Sequence, residues 1–225
     1  MIMKSGIVKH FGELIRKTEQ NIIEKINDGR LQTEPSITDR FLQEVERVFD
    51  EHGGSNGIRF RASTLRDRGA DAPEKEFGAD LCGVLDIKLP EFKQSKGFLA
   101  QAKSERQGIS VYRGPFGVNG VTIPASNKPD GLRTQATKML SITPDSFIII
   151  YSVSGFVVVP ASAIQGLSYR SAQLYGKPLD RFFKEFLMCF VGDPKLKAWD
   201  NQTLGKIREE TYARSAILFQ IQGEL

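Results

Sequence analysis

The stretch Glu76–Lys103 constrains the fold more than any other part of the sequence. It contains two short apolar runs, Leu81–Leu89 and Gly97–Ala102, which are joined by the polar residues 90–96. Apolar runs of this length between turn residues predict two buried β-strands. Because the connection is short, the two strands are expected to pair as a hairpin in the centre of a sheet.

Polar side chains stand at the end where these two strands meet. Asp80 comes directly before the first run, and Gln101 and Lys103 lie at the end of the second. Because side chains two residues apart in a strand share a face, Gln101 and Lys103 are predicted to point to the same side of the sheet. A carboxylate, an amide and an ammonium group brought together in this way are able to hold a divalent metal ion and a phosphate group.

Further helices and strands are predicted around the hairpin. Helices are predicted where apolar residues recur at helical spacing, over residues 4–28, 35–52, 130–142, 178–191 and 203–214. Strands are predicted over residues 57–65, 147–152 and 156–160. Residues 104–128 are expected to form a long connection, and residues 216–221 fit either a strand or the end of a helix. This pattern predicts one α/β domain with a helical C-terminal part.

The composition excludes several classes of protein. The chain has 225 residues, of which 40% are hydrophobic and 26% charged, as in ordinary globular proteins. No apolar run is long enough to cross a bilayer, and the N-terminus lacks the features of a signal peptide, so we expect a cytoplasmic protein without membrane contact. Cys82 and Cys189 lie in apolar runs and are expected to be reduced and buried. His10 and His52 have no partners at zinc-ligand spacing. No dinucleotide-binding or P-loop glycine motif occurs at a strand–helix junction.

Phosphodiester hydrolysis is the chemistry that the polar residues of the hairpin fit. This reaction uses a metal ion to polarise the phosphoryl oxygen and activate water, and Mg²⁺ prefers one or two carboxylates with other oxygen ligands. Asp80 offers a carboxylate, Gln101 and the backbone carbonyl of Ala102 offer neutral oxygens, and Lys103 offers a positive charge. A second carboxylate is expected from elsewhere, from Glu34 at the start of the second helix or from Glu44 or Glu76.

The order Glu34, Glu76–Asp80 and Gln101–Lys103 resembles the PD-(D/E)XK nuclease superfamily, in its variant with Q-x-K. The resemblance covers residues 33–160 and implies a restriction-endonuclease-like core, a mixed central β-sheet flanked by helices. The helix over residues 4–28 and a helical extension over 161–225 would complete a single nuclease-like domain, 1–225.

The resemblance also implies roles for individual residues. Asp80 would be the principal metal ligand, Glu34 the helix carboxylate and Lys103 the catalytic lysine, with Mg²⁺ as the cofactor and Mn²⁺ as a substitute. Gln101 departs from the acidic residue of the common pattern. Its neutral amide removes one negative charge and weakens metal binding unless Glu34 compensates.

The implied function is a metal-dependent endonuclease that acts on DNA, in restriction or antiviral defence. A formal net charge of +4 favours an anionic partner. Arginines and two helix residues are expected either to contact the nucleic acid or to serve structural roles: Arg59, Arg61, Arg66, Arg68, Gln135 and Lys138. The pattern does not separate DNA from RNA, and it leaves a homodimer or a larger complex open.

Two other functions fit the same sequence. The first is a nuclease fold that has lost catalysis and binds nucleic acid or a protein partner, which the neutral Gln101 would explain. The second is a structural subunit of a larger complex, which a hydrophobic surface on the C-terminal part would favour.

Overall fold

A computed structural model describes residues 5–55, 57–66, 79–105, 109–113, 119–123, 131–167 and 172–223. The described helices are α1 (Ser5–Asn27), α2 (Glu34–His52), α3 (Gly131–Ile142), α4 (Ala161–Gln165), α5 (Leu179–Leu187) and α6 (Asn201–Glu210). The described strands are β1 (Gly54–Ser55), β2 (Ile58–Arg66), β3 (Leu81–Leu89), β4 (Phe92–Ser104), β5 (Ser110–Arg113), β6 (Asn119–Ile123), β7 (Ser146–Tyr151), β8 (Val157–Pro160), β9 (Ala172–Pro178) and β10 (Ser215–Gly223). No helix among these residues is long and apolar enough to cross a membrane.

The strands form one open mixed sheet in the order β1-β2-β10-β3-β4-β7-β8-β9-β6-β5. The pairs β10–β3 and β4–β7 are parallel, and the other described pairs are antiparallel. The α/β class and the mixed central sheet flanked by helices are therefore confirmed. The restriction-endonuclease-like topology of the core stays a prediction from the resemblance.

Each face of the sheet packs against its own set of helices. On one face, apolar side chains of α1, α2 and α5 join those of the central strands in a core rich in phenylalanine. The rings of Phe98, Phe182 and Phe186 meet there edge to face, with centroids 5.0 to 5.1 Å apart for the two pairs that involve Phe98. On the other face, α3, α4 and α6 cover a second core of mostly aliphatic residues. The strands near the middle are apolar on both faces because both are covered.

The start of α2 is fixed by its own sequence. Thr33 is the N-cap, its hydroxyl accepts a hydrogen bond from the backbone N–H of Ser36, and the Ser36 hydroxyl accepts one from the N–H of Thr33. Pro35 suits the first turn because it lacks an N–H that would need a partner. This capping box places Glu34 in the first turn of the helix, at the end of the sheet described below.

The C-terminal part is helical only in part. Residues 216–221 belong to strand β10, which lies between β2 and β3 in the middle of the sheet. Strand β9 also lies within residues 161–225. The sheet therefore extends beyond the predicted core of residues 33–160, since a buried central strand comes from the end of the described chain.

Two other predictions are wrong in detail. The predicted connection over residues 104–128 contains strands β5 and β6, short runs with valine and isoleucine that stand among glycine, proline and serine. Helix α5 ends at Leu187 because Cys189 adopts a positive φ of 65°, a backbone conformation that terminates helices. Cys189 is consequently exposed, whereas Cys82 is buried as expected.

Candidate functional site

The candidate site lies at one end of the sheet, where neighbouring strands begin or end. Strand β4 ends at Ser104, which is in register with Tyr151 at the end of β7. On the other side of β4, strands β3 and β10 start together, with Leu81 in register with Ser215. Asp80 is held between its neighbours because its N–H donates to the carbonyl of Ala100 at 2.9 Å and its carbonyl accepts from the N–H of Ser215 at 3.0 Å.

The side chain of Asp80 reaches across to β4. Its Oδ2 accepts a hydrogen bond from the backbone N–H of Ala102 at 2.7 Å and another from Nε2 of Gln101. Asp80 is half-buried and Gln101 is buried. The predicted meeting of Asp80 and Gln101 at the end of the hairpin is therefore present in the structure.

The amide of Gln101 bridges two oxygen atoms. Besides Asp80, its Nε2 donates to the backbone carbonyl of Ala102 at 3.3 Å. The amide nitrogen thus sits between a carboxylate and a carbonyl, two of the four oxygen donors predicted to hold a metal ion. In this arrangement the positive end of the amide dipole occupies a position suited to a cation.

Glu34 and Lys103 form an ion pair at the end of β4. Oε1 of Glu34 accepts a hydrogen bond from the backbone N–H of Ser104 at 2.9 Å, and its Oε2 lies 3.7 Å from Nζ of Lys103. The side chains of Glu34 and Lys103 are only 15% and 13% exposed, so this ion pair is weakly screened by solvent. Glu34 is the predicted second carboxylate that the structure places at the site.

A buried tyrosine lies beside Thr38 of α2. The hydroxyl of Tyr151 lies 2.9 Å from that of Thr38, which also donates to the carbonyl of Glu34 at 3.0 Å. Burial raises the pKa of Tyr151, the hydrogen bond with Thr38 opposes the rise, and the charges of Asp80, Glu34 and Asp39 add to it. Asp80, Glu34 and Asp39 therefore lie near this hydroxyl, with Glu34 paired with Lys103 and Asp39 paired with Arg214.

Thr38, Asp39 and Tyr151 were missed in the sequence. Thr38 follows Glu34 by four residues, so it lies on the same face of α2 one turn later. Tyr151 is a polar residue at the end of an apolar strand, as Lys103 is near the end of β4, and this similarity is the signal that could have identified it. Oδ2 of Asp39 lies 3.7 Å from Nη2 of Arg214, the residue directly before β10. This contact is recognised only when the position of β10 in the sheet is known.

Glu44 does not belong to this site. It lies ten residues after Glu34 on α2, about 15 Å along the helix axis. Its buried carboxylate accepts hydrogen bonds from Asn21 at 2.8 Å, from Lys25 at 3.2 Å and from Arg47 at 3.1 Å. Burial raises the pKa of Glu44, but these hydrogen bonds outweigh it and lower the pKa to about 2. Glu44 therefore joins α1 to α2. The other alternative, Glu76, lies outside the described residues.

The three described arginines that were predicted to contact nucleic acid lie at different places on β2. Arg59 and Arg61 are exposed on β2, and Arg61 is in register with Gln220, five residues or about 17 Å from Ser215 at the site. Arg66 pairs with Glu46 of α2 at 3.3 Å, and Arg68 lies outside the described residues.

The two predicted helix residues lie on α3. Gln135 and Lys138 are both half-buried there. Among the described residues, Oε1 of Gln135 is one of three buried side-chain atoms without a hydrogen-bond partner. A buried acceptor without a partner costs stability unless something else supplies a donor. The other two atoms are Oδ2 of Asp86 and Oγ of Ser215.

The donor atoms of the site fit a hard divalent cation. Among the described residues, no group of three or more His, Cys, Asp or Glu side chains could hold a metal ion. A metal ion here would depend on the carboxylates of Asp80 and Glu34, with oxygens of Gln101 and Ala102. Mg²⁺ is commonly held by one or two carboxylates, with water and substrate phosphate completing its coordination. His10 and His52 meet at 3.0 Å elsewhere, through a ring nitrogen and a backbone carbonyl.

The chain matches no protein-family model, and no curated protein or solved structure matches it significantly. The resemblance to a nuclease superfamily therefore stays a prediction from the sequence residues alone.

Proposed function

We propose that this chain is a metal-dependent nuclease that hydrolyses phosphodiester bonds in DNA. The observation that supports this proposal is the meeting of Asp80, Gln101 and the Ala102 backbone at the start of β3 and the end of β4, beside the Glu34–Lys103 pair. Carboxylates, neutral oxygens and one ammonium group at one end of the sheet are the groups that phosphodiester hydrolysis uses.

Each group has a role in the proposed reaction. Asp80 and Glu34 would hold Mg²⁺, with Oε1 of Gln101 and the carbonyl of Ala102 as neutral ligands. The bound cation supplies polarisation of the phosphoryl oxygen and a more acidic water molecule. Nζ of Lys103 lies 3.7 Å from Oε2 of Glu34, where its ammonium group would stabilise the negative charge that develops on the phosphate.

The amide of Gln101 must turn before it can serve as a ligand. Its nitrogen, not its oxygen, now faces Asp80 and the carbonyl of Ala102. Rotation of the amide by half a turn exchanges the two atoms and presents Oε1 to the cation. Cation binding is thus coupled to the loss of two hydrogen bonds, which weakens the apparent affinity of the site.

The same amide supports a second candidate function. Because Nε2 of Gln101 donates to both oxygens, each of them has a hydrogen-bond partner without a metal ion. A nuclease fold that has lost catalysis and binds nucleic acid or a protein partner would show this arrangement. Magnesium binding separates this candidate from the first, because a binding module has no need to retain it.

A third candidate has weaker support. Large apolar side chains are exposed in the C-terminal part, with Phe190 at 77% and Trp199 at 46% exposure. A structural subunit of a larger complex would use such residues at an interface. Single exposed apolar residues are common on protein surfaces, so this observation ranks below the site geometry.

Cleavage of supercoiled plasmid in Mg²⁺, Mn²⁺ or EDTA tests the proposal. We expect the wild-type protein to cut with either metal ion and not in EDTA, and we expect Asp80→Ala and Lys103→Ala to cut about 100-fold more slowly or not at all. Lys93→Ala is the matched control, because Lys93 is exposed near the other end of β4.

Two results would count against the proposal. Cutting that persists in EDTA or in both site variants would show that the activity comes from elsewhere. A purified wild-type protein that binds DNA without cutting it would favour the binding module.

A further inference from the structure

Two hydroxyl groups are buried in the phenylalanine-rich core beside the candidate site. Thr38 of α2 is 3% exposed, and Tyr151 at the end of β7 is 4% exposed. A hydroxyl group in such a place needs hydrogen-bond partners, because a buried polar group without one is destabilising. Neither side chain has a role in the reaction proposed above.

The two hydroxyl groups form a chain of hydrogen bonds that has one direction. The hydroxyl of Thr38 donates to the backbone carbonyl of Glu34 at 3.0 Å. Since a threonine hydroxyl has one hydrogen atom, Tyr151 must be the donor in its 2.9 Å contact with Oγ1 of Thr38. Burial raises the pKa of Tyr151, so the phenol keeps its hydrogen atom at neutral pH. The chain therefore runs from Tyr151 through Thr38 to Glu34.

Glu34 also contacts the strand next to Tyr151. Ser104 of β4 is in register with Tyr151, so the two side chains share a face of the sheet. The N–H of Ser104 donates to Oε1 of Glu34 at 2.9 Å. Glu34 is thus held at two points, by its carbonyl through Thr38 and by its carboxylate through Ser104. These contacts join the first turn of α2 to the ends of β4 and β7.

The ring of Tyr151 is fixed by its own packing. Its centroid lies 4.7 Å from that of Phe156, and the centroid of Phe156 lies 6.3 Å from that of Phe41 in α2. The position of the Tyr151 hydroxyl is therefore set by rings that contact both β7 and α2. The substitution Tyr151→Phe keeps this packing and removes only the hydroxyl group.

The position of the Glu34 carboxylate decides what it is able to bind. Its Oε2 lies 3.7 Å from Nζ of Lys103. A glutamate side chain has several rotatable bonds, so its carboxylate stays in one place only if contacts offset the loss of conformational entropy. Loss of a hydrogen bond that orients a metal ligand typically weakens metal binding by about 10- to 100-fold.

We infer that Tyr151 is a positioning residue of the candidate site and that it holds the Glu34 carboxylate in place for a metal ion by way of Thr38. This role rests on the proposed function, because the metal ion belongs to that proposal. Tyr151 acts on Glu34 through two hydrogen bonds and contacts neither metal ion nor substrate. Its hydroxyl is therefore expected to affect the affinity for Mg²⁺ and not the reaction that follows once Mg²⁺ is bound.

Calorimetric titration of the purified protein with Mg²⁺ tests this role. Tyr151→Phe and Thr38→Val should each bind Mg²⁺ about tenfold more weakly than wild type. Because both substitutions break the same chain, the double variant should also bind about tenfold more weakly, whereas independent effects would multiply to about 100-fold. The plasmid cleavage rate of Tyr151→Phe at saturating Mg²⁺ should stay within about twofold of wild type.

Two substitutions control for the loss of a hydroxyl group alone. Thr18→Val removes a fully buried hydroxyl that donates to the carbonyl of Leu14 at 3.0 Å, four residues earlier in α1, as Thr38 does in α2. Tyr175→Phe removes the hydroxyl of a tyrosine that is 50% exposed on β9. Neither substitution should change the affinity for Mg²⁺. Urea denaturation shows whether each variant is folded under the conditions of the titration.

A double-mutant cycle in EDTA tests the same contacts without a metal ion. Glu34→Gln removes the charge that pairs with Lys103 and should lower the urea midpoint of the wild-type protein. The same substitution should lower the midpoint less in the Tyr151→Phe background, where the carboxylate is no longer held. Equal shifts in the two backgrounds would overturn the role of Tyr151, as would equal Mg²⁺ affinities of Tyr151→Phe and wild type.

The two measurements separate the role of Tyr151 from the proposed function. A wild-type protein that binds no Mg²⁺ but shows coupling in the cycle would reject the metal-dependent nuclease and leave Tyr151 as the residue that positions Glu34. Plasmid cleavage that depends on Asp80, with no coupling and with unchanged Mg²⁺ affinity in Tyr151→Phe, would support the nuclease and reject the role of Tyr151.

Discussion

The substitution Gln101→Glu should make the stability of this protein depend on a divalent metal ion. In the wild type, Nε2 of Gln101 donates to Oδ2 of Asp80 and to the carbonyl of Ala102. The substitution replaces that donor by a carboxylate oxygen, so two hydrogen bonds are lost and two negative charges come together. It also restores the acidic residue of the common nuclease pattern.

The expected cost without metal ion is about 3 to 5 kcal/mol. The hydrogen bond to a charged group is worth about 1.5 to 3 kcal/mol and the bond to the carbonyl about 1 kcal/mol. Two carboxylates about 4 Å apart repel by about 4 kcal/mol at an effective dielectric constant of about 20. Uptake of a proton by one of them limits the total to less than the sum. The penalty should therefore shrink as the pH falls toward the ordinary pKa of a carboxyl group, because a shared proton removes the repulsion.

Urea denaturation in EDTA and at increasing Mg²⁺ concentration measures this effect. We expect the variant to recover about 2 to 3 kcal/mol when the Mg²⁺ concentration reaches about 100 times its dissociation constant, and the wild type to gain less. Gln94→Glu is the matched control: Gln94 is half-buried on the same strand, and its amide donates to the carbonyl of Ser95. A Gln101→Glu variant that is as stable as wild type in EDTA, or that ignores Mg²⁺, would refute the proposed arrangement.

Three further predictions follow from contacts elsewhere in the fold. Glu44→Gln should lower the free energy of unfolding by about 1 to 3 kcal/mol at pH 7, as measured by urea denaturation. Because the pKa of Glu44 is lowered to about 2, this difference in unfolding free energy from wild type should be complete above pH 4.5 and should disappear as the pH falls through about 2. Phe98→Ala should cost about 3 to 5 kcal/mol in the same assay, because it empties a fully buried position among phenylalanine rings, whereas Phe190→Ala at an exposed position should cost little. One thiol, that of Cys189, should react with a disulfide reagent in the native protein, and Cys82 should react only on unfolding, since burial raises its pKa to about 12; rapid reaction of both thiols would contradict the buried position of Cys82.

The local parts of the site were predictable from the sequence. Asp80 and Gln101 are joined by a hairpin with a short turn, so the strand pattern alone brings them together. Glu34 was identified by its position beside Pro35 at the start of a helix, and the structure places it at the end of β4. In both cases a residue pattern within a few positions carries the information.

The nonlocal parts were not predictable in the same way. Nothing in the apolar run over residues 216–221 indicates that it pairs with β2 on one side and with β3 on the other. The far end of the sheet depends on the registers of β5, β6 and β9, of which β9 is separated from the other two by α3, β7, β8 and α4. Pairing between strands that are far apart in sequence depends on the packing of the whole sheet, so it cannot be predicted from the residue pattern of a single sequence.

The central position of β10 also determines when the candidate site is able to form during synthesis of the chain. The head of β3 is held by backbone hydrogen bonds from Arg214 to Ala79 and from Ser215 to Asp80. A ribosome that adds about 5 to 20 residues per second needs about 7 to 27 s to travel from Asp80 to Ser215. During that interval a nascent chain has Asp80 but lacks the strand that separates β2 from β3. The backbone hydrogen bonds that hold Asp80 therefore form only after Ser215 has been synthesised, so the candidate site is expected to be assembled late.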